Sequence, residues 1–376
     1  MKILVQQSAL QRATARVTSA VERKNTIPIL ANVLLRTEAD RLTITATDLD
    51  IEIVEKIPAE VIAPGEITVA AATLAEIARN APAGAELAIE WASTEDPRAT
   101  VKFGRSRYQL PVLPAGDFPV RGDLIDAVEL AIAAPVLHQL LEHVHFAQST
   151  EETRYYLNGV NLSRVSDQGR PVLRVVATDG HRMILDQIQC DEGAAMPAIT
   201  IPRKAVGEMR RILADLKDPV TLQVSTTGLA LLTGTGRLIT KALDGHYPDY
   251  QRVMPSEWER EIFIDRALLK EAIKRVSIIS ADKTRTVKLA IVDEVLTLNV
   301  RNMEAGAASE EIEVVGEGAA FETGFNAKYL LDLLDQTDAD RMVLRVSDSI
   351  SPARLDPAGD TKGAEGLVNV IMPVRV

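Results

Sequence analysis

The chain has 376 residues, 46% of them hydrophobic and 25% charged, a composition typical of globular proteins with a core of good size. This length predicts two or three domains. The formal net charge of −11 argues against a surface that coats nucleic acid generally, and the single cysteine, Cys190, excludes a disulfide framework. No apolar run approaches the ~20 residues of a membrane-spanning helix, and polar Gln6-Gln7 follows too early for a signal peptide.

The first third of the chain predicts two helices among several strands. Residues 2–6 predict a strand, and Ser8 with Gln11 has the spacing of a capping box at a helix start. The apolar face of this helix comprises Leu10, Ala13, Val17 and Val21. Strands are predicted at residues 33–37, 42–46, 51–56 and 66–70, and a second helix at residues 74–80, before Ala81-Pro82.

The same order of elements is predicted twice more. A helix near Pro135 has the apolar positions Val136, Leu137, Leu140, Leu141 and Val144, and another begins at Arg203-Lys204. In the last third, Asp265 caps a helix whose predicted apolar stripe is Leu268, Leu269, Ala272, Ile273 and Val276. A final helix follows Asn326.

These three passes repeat one plan. Ala46-Thr47-Asp48 recurs as Ala177-Thr178-Asp179, 131 positions later. The equivalent helical positions Leu74, Val206 and Leu330 are 132 and 124 residues apart. Strands interrupted by two helices, without strict alternation, predict an α+β fold with mainly antiparallel sheets. We therefore expect three repeated domains, at residues 1–125, 126–254 and 255–376.

Catalytic and metal-binding motifs are weak. Asp48 with Asp50, or Asp179 with His181, could bind a metal or act as an acid–base pair, but carboxylates at strand ends more often cap turns. The histidines His138, His143 and His145 are predicted to lie on a solvated helix surface. Walker A, HExxH and paired CxxC motifs are missing from the sequence, so no cofactor is predicted.

Basic residues cluster on three predicted helices. Each of these helices has a core on its other face. Several cations on one surface would contact phosphates without reading bases, whereas an aromatic content of 4% is too low for a stacking platform for single strands. The clusters are Arg12, Arg16, Arg23 and Lys24; Arg203, Lys204, Arg210, Arg211 and Lys217; and Arg266, Lys270 and Lys274.

The C-terminal residues 372–376 are unusually apolar for a chain end. They are interpreted either as a docked edge strand or as the lip of an apolar groove that binds a partner peptide.

Several short stretches together resemble the bacterial DNA sliding clamp family, the β subunit of DNA polymerase III. They are Arg154-Tyr155-Tyr156-Leu157-Asn158-Gly159, Ala177-Thr178-Asp179-Gly180-His181-Arg182, Pro202-Arg203-Lys204, Tyr247-Pro248-Asp249-Tyr250 with Arg252-Val253, and Met372-Pro373. The resemblance covers the whole chain. It implies three clamp domains per subunit and a head-to-tail homodimer that forms a closed ring around duplex DNA.

The resemblance also implies site residues. Phosphate contacts are expected from Arg23, Lys24, Arg203 and Lys204. The dimer interface is expected at the edge strand Arg105–Leu110, with Arg105, Arg107, Tyr108 and Leu110, and at Ile278 and Ile279 of the other subunit. The partner-peptide pocket is expected to comprise Leu157, Thr178, Gly180, His181, Arg182, Met183, Pro248, Arg252, Val253, Ile350, Val370, Met372, Pro373, Val374 and Arg375. An apolar floor is expected from Leu157, Met183, Val253, Val370 and Met372, and a polar rim from His181, Arg182, Arg252 and Arg375.

The function that follows is a non-catalytic processivity factor, cytoplasmic and nucleoid-associated. Its expected partners are double-stranded DNA, a second copy of itself, the replicative polymerase, the clamp loader and other proteins with short clamp-binding peptides, but no membrane. Two alternatives remain open at this point. One is a metal-dependent phosphoester hydrolase using Asp48, Asp50, Asp179 and His181, and the other is a repeat-built peptide adaptor without nucleic acid.

Overall fold

The computed structural model describes residues 1–22, 26–92, 97–191, 193, 195–280, 286–317, 320–359 and 365–375. Within these ranges the helices are α1 (Gln7–Val17), α2 (Ala71–Asn80), α3 (Ala134–Val144), α4 (Arg203–Leu213), α5 (Arg266–Val276) and α6 (Ala327–Asp335). Short 3₁₀ helices lie at Pro28–Ala31, Ala115–Asp117, His145–Ala147, Glu152–Leu157, Tyr250–Val253 and Ser277–Ile279. None of the helices in the described part of the chain is long and apolar enough to span a membrane.

The strands account for most of the remaining regular structure. The first half of them are β1 (Lys2–Gln6), β2 (Asn32–Glu38), β3 (Arg41–Thr47), β4 (Ile51–Pro58), β5 (Glu60–Ala63), β6 (Glu66–Ala70), β7 (Glu86–Glu90), β8 (Arg98–Phe103), β9 (Ser106–Leu113), β10 (Val128–Ala133), β11 (Gly159–Asp167), β12 (Arg170–Thr178) and β13 (Arg182–Gln189). The second half are β14 (Ile199–Pro202), β15 (Pro219–Ser225), β16 (Gly228–Leu232), β17 (Gly236–Lys241), β18 (Arg260–Asp265), β19 (Thr286–Val292), β20 (Val295–Asn302), β21 (Gly306–Glu313), β22 (Val315–Glu317), β23 (Phe321–Asn326), β24 (Arg341–Val346), β25 (Ala353–Pro357) and β26 (Val368–Ile371).

The predicted cap of α1 is wrong. The helix follows β1 directly and begins at Gln7, so Ser8 lies inside its first turn and Gln6 is the N-cap, without a side-chain cap bond. The Gln7 side chain instead donates to the Ala78 carbonyl oxygen at 2.8 Å and to Gln11 Oε1 at 2.9 Å. Tertiary contact with α2 therefore replaces a local cap.

The predicted cap of α5 is confirmed, and α6, which begins after Asn326 as predicted, is capped as well. Asp265 Oδ1 accepts from the Leu268 N–H at 2.8 Å, and Asn326 Oδ1 accepts from the Lys328 N–H at 2.9 Å. The predicted stripe of α5 is buried except at Leu268, which is 53% exposed. Leu268 lies in the first turn, where its side chain projects into solvent, so its assignment to the core is wrong.

One compact unit comprises Met1–His138 and Lys204–Ala242. Its strands form one antiparallel sheet in the order β10-β15-β16-β17-β4-β3-β2-β6-β9-β8-β7-β1-β5, with α1 packed on α2 and β4. The β17–β4 ladder joins strands of the first two predicted domains. At Gly236 a Cβ atom would lie 2.0 Å from the Val54 carbonyl oxygen, so this close approach needs glycine.

The other compact unit comprises Gln139–Arg203 and Leu243–Val376. It contains a sheet in the order β14-β11-β12-β13-β26-β25-β24-β18-β22 and a second in the order β21-β20-β19-β23. Every strand pair in both is antiparallel. The β13–β26 ladder brings the Asp-Gly turn next to the C-terminal strand, and the predicted α+β class is confirmed.

Candidate functional site

The turn between β12 and β13 is fixed by its own side chains. Asp179 Oδ1 accepts from the His181 and Arg182 N–H groups at 2.9 and 3.0 Å. The Thr178 hydroxyl donates to the Arg182 carbonyl oxygen at 2.7 Å, and Gly180 adopts φ +86°. The predicted Asp-Gly turn is confirmed. The Asp179 carboxylate caps the turn, which is the structural role that was predicted as the alternative to a catalytic one.

Arg182 is buried, so its predicted place in a polar rim is wrong. Its side chain is 5% exposed and donates to Asp179 Oδ2 at 3.1 Å, Asp332 Oδ2 at 2.6 Å and the Phe146 carbonyl oxygen at 2.9 Å. The guanidinium carbon also lies 4.9 Å from the Phe146 ring centroid and 4.5 Å from that of Tyr329. A buried charge is tolerated when it is paired and hydrogen-bonded in this way.

Met183 and Val370 lie opposite each other in the β13–β26 ladder. Both are 2% exposed and belong to a buried cluster with Val176 and Leu185. Tyr247 packs on this cluster and donates to the Val176 carbonyl oxygen at 3.3 Å, and burial raises the pKa of its phenol. Met183 and Val370 are therefore core beneath the site. Their assignment to the apolar floor of the pocket stays a prediction.

The C-terminal segment, residues 372–375, is docked on both sides. The Met372 N–H donates to the His181 carbonyl oxygen at 2.8 Å, and the Val374 N–H donates to the Gly324 carbonyl oxygen at 2.8 Å. Met372, Pro373 and Val374 are half-buried, and Arg375 is exposed. The segment is thus docked, as one of the two interpretations predicted, but it continues β26 only as an isolated bridge at Val374 and not as an edge strand.

The other predicted pocket residues lie in the same compact unit as this turn. Leu157 is buried at the end of its 3₁₀ helix, from which Arg154 reaches the Asp179 carbonyl oxygen at 3.5 Å. The segment that holds Pro248, Arg252 and Val253 is anchored by Tyr247, Tyr250 and Met254 on the Met183 cluster. Val253 and Ile350 are exposed by 43% and 72%. Exposed apolar surface therefore comes from Val253, Ile350 and the C-terminal segment.

The remaining acid–base candidates are structural. Asp48 Oδ1 accepts from the Asp50 and Ile51 N–H groups at 2.9 and 2.8 Å, and so caps a turn. His143 is buried, with Nδ1 2.7 Å from Asp186 Oδ2, so its predicted place on a solvated surface is wrong. In the described ranges no group of three or more His, Cys, Asp or Glu side chains is arranged to hold a metal ion.

The predicted phosphate-binding residues differ in their surroundings. Arg203 is exposed at the first residue of α4. Lys204 forms an ion pair with Asp48 and donates to the Ala20 carbonyl oxygen at 2.9 Å. Arg23 and Lys24 lie outside the described residues. Arg203 and Lys204 are both exposed, and their contact with phosphates stays a prediction.

The predicted dimer-interface residues are partly accessible. Arg105 lies in the turn before β9, and Arg107 and Tyr108 are exposed. Leu110, on the same face of β9 as Tyr108, is buried. Over residues 106–110, β9 pairs with β8 alone among the described strands. Ile279 is half-buried in the 3₁₀ turn after α5, and its neighbour Ile278 is 81% exposed. An open strand edge can pair with a further strand, whereas a single exposed isoleucine is also common on monomeric surfaces, so the interface stays a prediction.

Comparisons with known proteins agree with this arrangement. Residues 1–122, 131–249 and 251–375 match the N-terminal, central and C-terminal domains of the DNA polymerase III beta subunit. The chain belongs to this sliding-clamp family. Sliding clamps are non-catalytic polymerase subunits, and the resemblance, the three clamp domains and the processivity role predicted from the sequence are confirmed.

Individual relatives cover the whole chain. The beta sliding clamp of Caulobacter vibrioides is 45% identical over 378 residues, 100% of both chains. A Caulobacter crescentus beta sliding clamp structure has a TM-score of 0.95 at 44% identity, covering 100% of this chain and 99% of that one. A Bartonella birtlesii sliding clamp bound to griselimycin has a TM-score of 0.94 at 37% identity, with 100% of both chains covered.

Sequence reasoning missed the partners of Arg182. Asp332 and Tyr329 lie on α6, and Phe146 lies in the 3₁₀ helix after α3. Tyr329 and Asp332 are three residues apart on a helix, so they lie on one face of it. This spacing was the signal in the sequence that could have identified them as a pair.

Proposed function

We propose that two copies of this clamp close head to tail into a ring that encircles duplex DNA and slides on it. The ring tethers the replicative polymerase to DNA. It also binds the clamp loader and other proteins that carry short clamp-binding peptides. It would act in the cytoplasm, on the nucleoid. The three domains are proposed to be residues 1–125, 126–254 and 255–376, supported by the three ranges that match the family.

The observation that carries the tethering role is the hydrogen bond that seats Met372 on His181. It places the half-buried apolar side chains of the C-terminal segment beside a turn held rigid by Asp179. Short peptides bind such surfaces through a few buried anchors. We assign the pocket to the residues expected from the sequence, with Arg182, Met183 and Val370 acting from beneath the surface.

The proposed contact with DNA is electrostatic. Arg203 is exposed, and Arg23, Lys24 and Lys204 are assigned to the same role. Contacts to phosphates carry no sequence information, so a ring that uses them can slide. Topology, rather than affinity, would then prevent escape from the duplex.

The ring is proposed to close through β9 of one subunit and the end of α5 of the other. Arg105, Arg107, Tyr108 and Leu110 would meet Ile278 and Ile279. Because this contact joins two different surfaces, it has to close on itself to avoid filaments. Two such contacts per dimer complete the ring.

The decisive experiment compares circular and linear DNA. The clamp is loaded onto a nicked circular plasmid with the clamp loader and ATP, and the complex is isolated by gel filtration. A restriction enzyme then cuts half of the sample. We expect the clamp to stay on the circle and to leave the linear DNA. Equal retention on both would refute encirclement, and failure to be retained on either would favour a peptide adaptor without nucleic acid.

A further inference from the structure

Helix α6 contacts two consecutive residues of the Asp-Gly turn through one face. The Tyr329 ring stacks on the His181 ring, with centroids 6.1 Å apart and an interplanar angle of 21°. Three residues later, Asp332 Oδ2 accepts from Arg182 Nη1 at 2.6 Å. A single helical face therefore sets the positions of both His181 and Arg182.

This helix is itself firmly held. Asn326 caps its start, and Leu330, Leu333 and Leu334 are buried on its inner side. Asp332 is partly buried, so its carboxylate contacts Arg182 with reduced solvent screening. The orientation of the turn therefore depends on contacts with a helix that is more than 140 residues away in sequence.

Removing Asp332 would not leave the Arg182 charge without partners. Asp179 Oδ2 and the Phe146 carbonyl oxygen would still accept from it. We therefore expect the fold to survive while the guanidinium group loses one of its three hydrogen-bonding partners and, with it, its link to α6. The outcome differs from that of a buried charge left unpaired, which is strongly destabilising.

A shift of the turn would reach the ligand surface. The His181 carbonyl oxygen receives the Met372 N–H at 2.8 Å, so the C-terminal segment is seated on the residue that Tyr329 stacks against. His181 is itself exposed at the surface. If the contacts of α6 with the turn were lost, we expect the turn to move and the C-terminal segment to move with it.

We propose that Asp332 and Tyr329 are positioning residues of the partner-peptide pocket. They hold His181 and Arg182 in the arrangement that seats the C-terminal segment and shapes the surface that a peptide contacts. This inference rests on the proposed peptide-binding function.

The test uses the full-length dimer and griselimycin, the compound bound to the Bartonella clamp, as the probe. Its Kd is measured by titration calorimetry for the wild type, Asp332→Ala, Asp332→Glu and Tyr329→Ala. Asp335→Ala is the matched control, because Asp335 lies on the same helix and pairs with Lys270. Thermal unfolding is recorded for each variant.

We expect Asp332→Ala and Tyr329→Ala to weaken binding at least ~10-fold, which is 1.4 kcal/mol. Asp332→Glu should recover part of this loss, and Asp335→Ala should bind within ~2-fold of the wild type, since single-charge surface changes have small effects. The ring resonances of His181, observed by NMR with labelled histidine, should move in the Asp332→Ala variant, which keeps the stacked Tyr329 ring, and stay in place in the control.

Two results would overturn the inference. One is wild-type affinity of Asp332→Ala with unmoved His181 resonances. The other is an equal loss of affinity in Asp335→Ala, which would indicate general destabilisation. If the wild type itself failed to bind griselimycin, the proposed pocket would fail instead, and the His181 resonances would still report whether α6 positions the turn.

Discussion

Ile278 offers the sharpest test of how the ring closes. Its side chain is 81% exposed at the end of α5, so its replacement by Ala should leave the folded subunit intact. The change removes three apolar carbons, each worth about 0.8 kcal/mol when buried. Scaled by the exposed fraction, the loss is about 2 kcal/mol per seam. Because a dimeric ring has two seams, the dimer Kd should rise by about a thousandfold.

Sedimentation velocity over a wide range of concentrations measures this change directly. The matched control is Leu268→Ala, since Leu268 is also exposed on α5 but lies at the helix's other end. We expect the control to dimerise like the wild type. A dimer Kd for Ile278→Ala within ~3-fold of the wild-type value would refute the proposed seam. Burial of so large an exposed apolar side chain in the interface would have to contribute more than this to dimer stability.

Three further changes test the remaining sites. Removing the C-terminal segment together with the last residue should weaken griselimycin binding at least ~30-fold by calorimetry while the dimer persists, since about 2 kcal/mol of anchor contacts is lost. Arg203→Ala should flatten the salt dependence of DNA binding by ~1 unit, whereas Lys204→Ala should change it less because Asp48 already neutralises that lysine; equal slopes for both would contradict this difference. Gly180→Ala should lower stability to urea by about 1 kcal/mol or more, because φ is +86° and the new Cβ would lie 2.5 Å from Arg154 Nη1; an unchanged midpoint would show that the turn relaxes freely.

Local signals in the sequence were sufficient where the structure depends on neighbouring residues. Asp265 and Asn326 cap their helices through backbone groups two or three residues away, and the Asp179-Gly180 turn closes through its own side chain. Such contacts are encoded within a few positions, so residue type and spacing predict them. The α+β class followed from the same kind of information, repeated three times.

Distant contacts decided the predictions that were wrong. Arg182 was expected at the surface, but Asp332, 150 residues later, draws it inside. His143 was expected in solvent, but Asp186 on β13 pairs with it in the interior. A charged side chain normally indicates a surface position, and only the tertiary arrangement supplies the partner that reverses this rule.

The ladders that join strands of different proposed domains limit how this chain can be dissected. β17 lies between β16 and β4 in one sheet, and β26 lies between β13 and β25 in the other. A recombinant fragment that stops at residue 125 would keep β3 beside β4 but lose β17, which would leave unpaired N–H and C=O groups along one edge of β4. Bare edges of this kind recruit strands from other molecules. Cutting at the proposed domain boundaries would therefore produce aggregation-prone fragments instead of independently folding domains.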